Sequence, residues 1–241
     1  MGKGNGYGQF CPIAIAAEVV AERWTPLVLR AFFCGATRFN DIQASVPRMS
    51  PALLSRRLKA LEYANIVARR PAPRGRGSEY ALTDAGRALF PVLDAMGEWA
   101  QHWLRREITR DENLDPDVLM WELRRTVLNG AHRVGARRVA EFRLSGVPVA
   151  KRFYWLVFEP DDVEICVKNP GYPVDLWVAA SLRTLVRIWV GHLSVAQACD
   201  QDLLALHGTS DEVAAFSRWY ALSHFAPAGR QAPADAAAAA G

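Results

Sequence analysis

The amino-acid sequence predicts an α+β protein in two parts. Short helices and a two-stranded hairpin fill the first half, and strands interleaved with helices fill the second. Three observations lead there. Over the first 65 residues, helix-opening signals recur at short intervals, with Pro12, Pro26 and Pro51 each placed at a first helical position. Between Ile66 and Thr83 the pattern changes to two short β-type runs around the loop "PAPRGRGS". Later, "VAEFRL", "FYWLVF", "VEICVK" and "VDLWVAA" are rich in aromatic and β-branched residues and are separated by turn-forming stretches.

Each element has a local reason. Residues 1–10, with "GKGNGYG", have no strand before the glycines and no Lys-Ser/Thr after them, so they read as a flexible tail. Pro12 opens a first helix to about residue 22, placing Cys11 at its N-cap. Thr25-Pro26 opens "PLVLRAFF", closed by Gly35. "RFNDIQASV" forms a short third helix with Phe39, Ile42 and Val46 on one side. After a tight turn at Pro47, Ser50 caps a fourth helix whose leucines, Leu53, Leu54, Leu58 and Leu61, share one face. "IVARR" and "EYALT" form the hairpin, and Thr83 caps the next helical segment. From Leu89 to Trp103 apolar residues recur at helical steps, with Pro91 kinking or restarting the helix near its beginning. Three helices, the last two at helix-turn-helix spacing, then a basic hairpin and a long helix, are the order of a winged helix-turn-helix domain. "ITRDENLDPD" reads as the linker, with the boundary near residue 110. In the second half Ser181 caps "LRTLVRIWV", and "SVAQACDQD" and "DEVAAFSRWYAL" read as helices around a short strand "LLALHG". The expected organisation is a tail at 1–10, a winged helix-turn-helix DNA-binding and dimerisation domain at 11–110, an α+β effector-binding domain at 111–226 and a disordered Ala/Pro-rich tail at 227–241.

Composition bounds the function. Half of the residues are apolar and eight are tryptophan, a globular composition. A bilayer-spanning run and a secretory signal are both unexpected, so the reading is a cytoplasmic, nucleoid-associated protein without membrane insertion. Cys11, Cys34, Cys166 and Cys199 lie far apart, and the five histidines are scattered, so neither disulfides nor a metal site is expected. No cofactor and no nucleophile or acid–base set is suggested, which argues against an enzyme. Residues 1–110 hold sixteen Lys/Arg against nine Asp/Glu, a net of +7, whereas residues 111–241 net −3. The first half is therefore the candidate for contact with a polyanion.

On the fourth helix, Ser55, Arg56 and Lys59 point away from the leucines, while Arg57 lies on the flank, where a phosphate or an internal carboxylate is expected to take its charge. Ser50 starts the helix, Arg38 and Arg48 flank it, and Arg74 and Arg76 stand on the hairpin tip. These nine residues are the expected contacts to double-stranded DNA, with the fourth helix in the major groove.

From Cys11 to Trp103 the chain resembles the HxlR-type family of bacterial winged-helix regulators. The resemblance rests on "CP" at positions 11–12, "WTPLVLRAF", "RFNDIQ" and "SPALLSRRLKALE". It implies a homodimer joined by the terminal helices of the domain, with Leu93, Met96, Trp99 and Trp103 at the interface, bound to a near-palindromic operator. In several members of that family the cysteine matching Cys11 senses oxidants or electrophiles, and a thiolate at a helix N-terminus is favoured by the helix dipole. "YPVDLWVAASLRTLVRIWVGHLSVAQACDQDLLALHG" is similar to a sterol-carrier-protein-like pattern. That fold implies an apolar cavity between sheet and helices, with Trp155, Trp177, Trp189, Phe216, Trp219 and Tyr220 as candidate walls for a hydrophobic effector. Two alternatives stand beside effector control: a redox switch at Cys11, and a lipid-binding or lipid-transfer protein whose basic domain meets membrane phosphates.

Overall fold

The computed structural model describes residues 6–72, 77–129, 136–160, 162–220 and 222–231. Their contacts divide into two compact units, 1–95 and 96–241, so the division falls inside a helix rather than at the polar stretch near residue 110.

The first unit follows the sequence signals closely. Helices α1 (Pro12–Val20), α2 (Thr25–Phe33), α3 (Phe39–Ser45) and α4 (Pro51–Tyr63) precede an antiparallel hairpin of β1 (Val67–Pro71) and β2 (Ser78–Leu82). A single turn, α5 (Asp84–Arg87), then leads into α6 (Phe90–Trp103). Val28, Leu29, Ile42, Met49, Leu54, Leu58, Leu61 and Val67 form the centre of its core. The hairpin is tied to the helices at two points. Tyr80 donates its backbone N–H to the Thr37 carbonyl at 2.8 Å. The Thr83 hydroxyl donates to the Asn65 carbonyl at 2.6 Å and accepts from Gly86 N–H at 3.1 Å, serving as the α5 cap.

The second unit is built on one five-stranded sheet. Beyond α6 come α7 (Arg105–Ile108), a 3₁₀ turn at Asp111–Asn113 and α8 (Pro116–Asn129). The sheet strands are β3 (Arg138–Ser145), β4 (Phe153–Phe158), β5 (Val163–Cys166), β6 (Leu176–Ser181) and β7 (Leu204–Gly208). Their order is β5-β4-β3-β6-β7, with β3 and β6 parallel and every other pair antiparallel. Helices α9 (Leu182–Trp189), α10 (Val195–Asp200) and α11 (Ser210–Trp219) complete it, followed by α12 (Ala226–Gln231). The stretch expected to be a linker thus carries the end of α7, a 3₁₀ turn and the start of α8, which sequence inspection did not identify. Asp115 opens α8 by accepting from Asp117 N–H at 3.0 Å.

Strand alternation gives the sheet two unlike faces. Phe142, Leu144, Tyr154, Leu156 and Val178 join the buried side chains of α8, α9, α10 and α11 in the main core. Val139, Trp155 and Val157 form a small separate cluster on the other face, with Cys166 and Val174 packed against it. There the buried Glu141 carboxylate accepts from Trp155 Nε1 at 3.1 Å and from Arg143 Nε at 2.6 Å.

The expected tail at 227–241 begins instead with α12, at Ala226–Gln231; residues 232–241 lie outside the described residues. Close approach explains how so Ala/Pro-rich a segment docks. A Cβ at Gly97 would stand 2.3 Å from the Phe225 ring, and one at Gly191, whose φ is +82°, would stand 2.4 Å from the Ala226 carbonyl. Gln101 Nε2 donates to the Val190 carbonyl at 3.1 Å, its Oε1 lies 2.7 Å from His192 Nε2, and Arg105 donates to the Gly229 carbonyl.

Candidate nucleic-acid interface

Gln43 organises the turn between α3 and α4. Its side-chain amide donates to the Met49 carbonyl at 2.6 Å and to the Val46 carbonyl at 3.3 Å, while Met49 N–H reaches the Val46 carbonyl at 2.9 Å. The turn is therefore held from both ends. Ser50 then accepts from Leu53 N–H at 3.3 Å as the N-cap of α4, with Pro51 at the first helical position.

Leu54, Leu58 and Leu61 are buried, so the orientation of α4 is set by the core. Ala52, Arg56 and Lys59 are exposed at steps of four and three residues, and Tyr63 continues the same stripe at 79% exposure. Ser55 is half-buried beside it. Tyr63 was missed in reading the sequence, although the same helical spacing points to it. The stripe is small at its N-terminal end and cationic in the middle. That shape and charge suit approach to a groove lined by phosphates.

Arg57 corrects the expected contact list. It is 8% exposed, and its guanidinium holds both oxygens of Glu22 from the loop after α1. The internal carboxylate, rather than a phosphate, takes its charge. Hydrogen bonding from Arg57 lowers the Glu22 pKa below the usual glutamate value, against the opposing effect of burial, with the Arg57 and Arg56 charges adding to the lowering.

Arg38 and Arg48 are both exposed, and Arg38 Nε lies 3.2 Å from Glu79 Oε1 on β2, which offsets part of its charge. Ser50 is committed to its cap. Arg74 and Arg76 lie outside the described residues.

The other predicted residues separate. Cys11 is the half-buried N-cap residue of α1 and makes no side-chain capping bond. Leu93 is half-buried and packs against the core of the first unit. Met96, Trp99 and Trp103 are exposed by 50, 56 and 63%, and Val92, four residues before Met96, extends their row. The six aromatics expected to line one cavity are not brought together. Phe216 packs on Trp219 and on Tyr220, with ring centroids 5.0 Å apart in each pair, and Phe142 and Phe158 meet Trp219 edge-on. Trp189 packs against that same core from its edge. Trp155 belongs to the opposite face of the sheet, as does Trp177, whose neighbours Leu176 and Val178 are core residues. Alternation along the strands forces this separation. Among the described residues, no group of three or more His, Cys, Asp or Glu is placed to hold a metal ion, and no helix is long and apolar enough to cross a membrane.

A clamped turn, a capped helix with a small and basic outward stripe, and a hairpin tied behind it define a winged helix-turn-helix protein of the DNA-binding class. The profile of the HxlR-like helix-turn-helix family matches residues 19–108. The chain is 37% identical over 98 residues to the uncharacterized HTH-type transcriptional regulator YvaP of Bacillus subtilis, covering 40% of this chain and 91% of YvaP. It is 34% identical over 95 residues to the HTH-type transcriptional regulator YodB of the same organism, covering 39% of this chain and 85% of YodB. The crystal structure of reduced YodB covers 39% of this chain and 93% of that chain at 34% identity, with a TM-score of 0.35. The chain belongs to the HxlR-like family and is a transcriptional regulator of that family.

Proposed function

We propose that the protein is a cytoplasmic homodimer that binds a near-palindromic DNA operator through α4 and adjusts its affinity when the second unit takes up a small-molecule effector. The exposed stripe of Ala52, Arg56 and Lys59 carries the DNA-binding part of this reading. The row of Val92, Met96, Trp99 and Trp103 on α6 supports the dimer, because four apolar side chains at helical spacing left in water favour burial against a second copy. A sterol-carrier-like ancestry for the second unit is supported by its single mixed sheet with the buried helix side chains on one face. Fluorescence anisotropy against a selected operator and a random duplex, across a salt series, tests the DNA reading. Sequence preference that weakens with Arg56→Ala and Lys59→Ala supports it; equal affinity for both duplexes, unchanged in the variants, would falsify it and favour the lipid-transfer alternative.

Redox control is the second reading, favoured by the position of Cys11 at the α1 N-cap without a side-chain bond. Cys11→Ser is expected to remove any loss of operator affinity caused by diamide or quinone. A variant that responds as fully as the parent eliminates this reading.

A further inference from the structure

A cleft of about 500 Å³ opens in the second unit where the starts of β3 and β6, the end of β7 and the first turn of α11 meet. Arg138, Val174, Asp175, Trp177, Gly208, Thr209, Asp211 and Glu212 line it. It is distinct from the aromatic core expected from the sequence, sharing only Trp177 with that set.

Three features of the cleft select a class of ligand. Its volume falls in the range of small-molecule sites, about 300–1,000 Å³. Its charge is unbalanced: Arg138 is the single cation against Asp175, Asp211 and Glu212. Arg138 Nε lies 3.0 Å from Glu212 Oε1, and its Nη1 lies 3.8 Å from Asp175 Oδ1. Asp175 also accepts from Val139 N–H at 2.8 Å, so two carboxylates are engaged, and Asp211 stands exposed beside them. The N-terminus of α11 offsets roughly half a unit charge, less than the surplus. The third feature is the wall formed by Trp177 and Val174. The arginines that sit over aromatic rings among the described residues use Trp24, Trp121 and Tyr172, which leaves the Trp177 face without one.

The three carboxylates do not converge as a metal-binding group. Negative charge is instead spread around a space of molecular size, next to an indole that favours cations over its face. We infer that this cleft binds a small organic cation carrying an aromatic or apolar body, with the body on Trp177 and the charged end toward Asp211. The inference rests on the reading of the second unit as the effector-binding part, and it names the chemistry of the effector: cationic and amphiphilic, rather than purely hydrophobic.

Calorimetric titration of the full chain, without DNA, tests it with three probes. Benzyltrimethylammonium supplies both features, benzyl alcohol only the ring, and tetramethylammonium only the charge. The combined probe is expected to bind at least about tenfold more tightly than either single-feature probe. Asp211→Asn and Trp177→Leu are each expected to weaken it about fivefold or more, whereas Trp177→Phe retains most of the binding. Asp211 is exposed, so its variant reports on the site without disturbing the core. Absence of binding, equal binding of benzyl alcohol, or indifference to both Asp211→Asn and Trp177→Leu overturns the site. Operator affinity is measured separately with and without the probe. Binding that leaves operator affinity unchanged overturns the sensor reading of the second unit while leaving the site intact.

Discussion

Helices α4 and α6 are nearly equal in length, 13 and 14 residues, yet they present opposite chemistry to their surroundings. Each buries apolar residues of its N-terminal part in the first unit: Leu54 and Leu58 from α4, and Leu89 and Leu93 at and just before the start of α6. On the outward side, α4 shows Ala52, Arg56 and Lys59, while α6 shows Val92, Met96, Trp99 and Trp103. A cationic stripe is at ease in water and gains further from a polyanion. An aromatic stripe loses roughly 25 cal/mol for each Å² it leaves uncovered. The inward faces explain why both helices form; the outward faces underlie the proposed roles, DNA contact for α4 and self-association for α6.

The severest challenge to that contrast is to place charge on α6. Trp99→Glu combined with Trp103→Glu is expected to convert dimer to monomer in sedimentation and to lower operator affinity by about 100-fold or more, because each monomer then holds only one half-site. A double variant that remains dimeric removes α6 from the interface. Next in size, Arg56→Ala and Lys59→Ala are each expected to cost about 1–3 kcal/mol if they meet base edges, or to reduce the salt slope by about one if they meet phosphates. Anisotropy titrations at several salt concentrations distinguish the two.

A third measurement concerns the other end of α6, where Gln101 meets His192. Burial, and then the charges of Arg105 and Arg187, lower the His192 pKa from 6.5 to about 4. The unfolded chain therefore binds the proton that the folded chain refuses. The stability this contributes is complete above pH 6.5 and is lost as the pH falls toward 4, on the order of 1–3 kcal/mol. Urea denaturation between those pH values is expected to show the loss, and His192→Gln to flatten it. A His192→Gln profile as steep as the parent's assigns the loss to other groups.

The smallest effect sharpens the contrast within α4 itself. Arg56 and Arg57 are adjacent, but one faces solvent and the other holds Glu22. Arg57→Ala is expected to lower stability by ~1–2 kcal/mol and leave the salt slope of DNA binding unchanged, the reverse of Arg56→Ala. Since the Glu22 pKa is lowered in the fold, the contribution of this pair is present above the ordinary glutamate pKa and fades as acid protonates Glu22. A salt slope that falls in Arg57→Ala returns that residue to the DNA interface.

Much of the fold was legible because its signals are local. Ser50, Thr83 and Ser181 were each read as caps, and each accepts a hydrogen bond from the backbone N–H three residues on. The hairpin and the strands of the second unit lie where alternation and turn residues placed them. Helix α8 escaped notice because Asp115-Pro116, its opening, closes a run of polar residues that reads as linker; Leu119, Met120, Leu123 and Val127 carried the signal. Helix α12 escaped because its composition resembles a solvated tail, and the close approaches at Gly97 and Gly191 that dock its segment are visible only in three dimensions.

By itself, then, the sequence determined the order of the elements other than α8 and α12 and the short turns between α6 and α8, the basic first half, the outward stripe of α4 and the family resemblance. All of these depend on residues within a few positions of one another. Tertiary structure alone decided that Glu22, 35 residues away, neutralises Arg57, that Leu93 packs against a core, and that six aromatics divide between two faces of one sheet. It also gathered Arg138, Trp177 and Asp211 around one cleft. The physical reason is that local propensity sets the direction of a side chain relative to its own element. Whether that side chain meets a carboxylate, a ring or water depends on which distant elements pack against it.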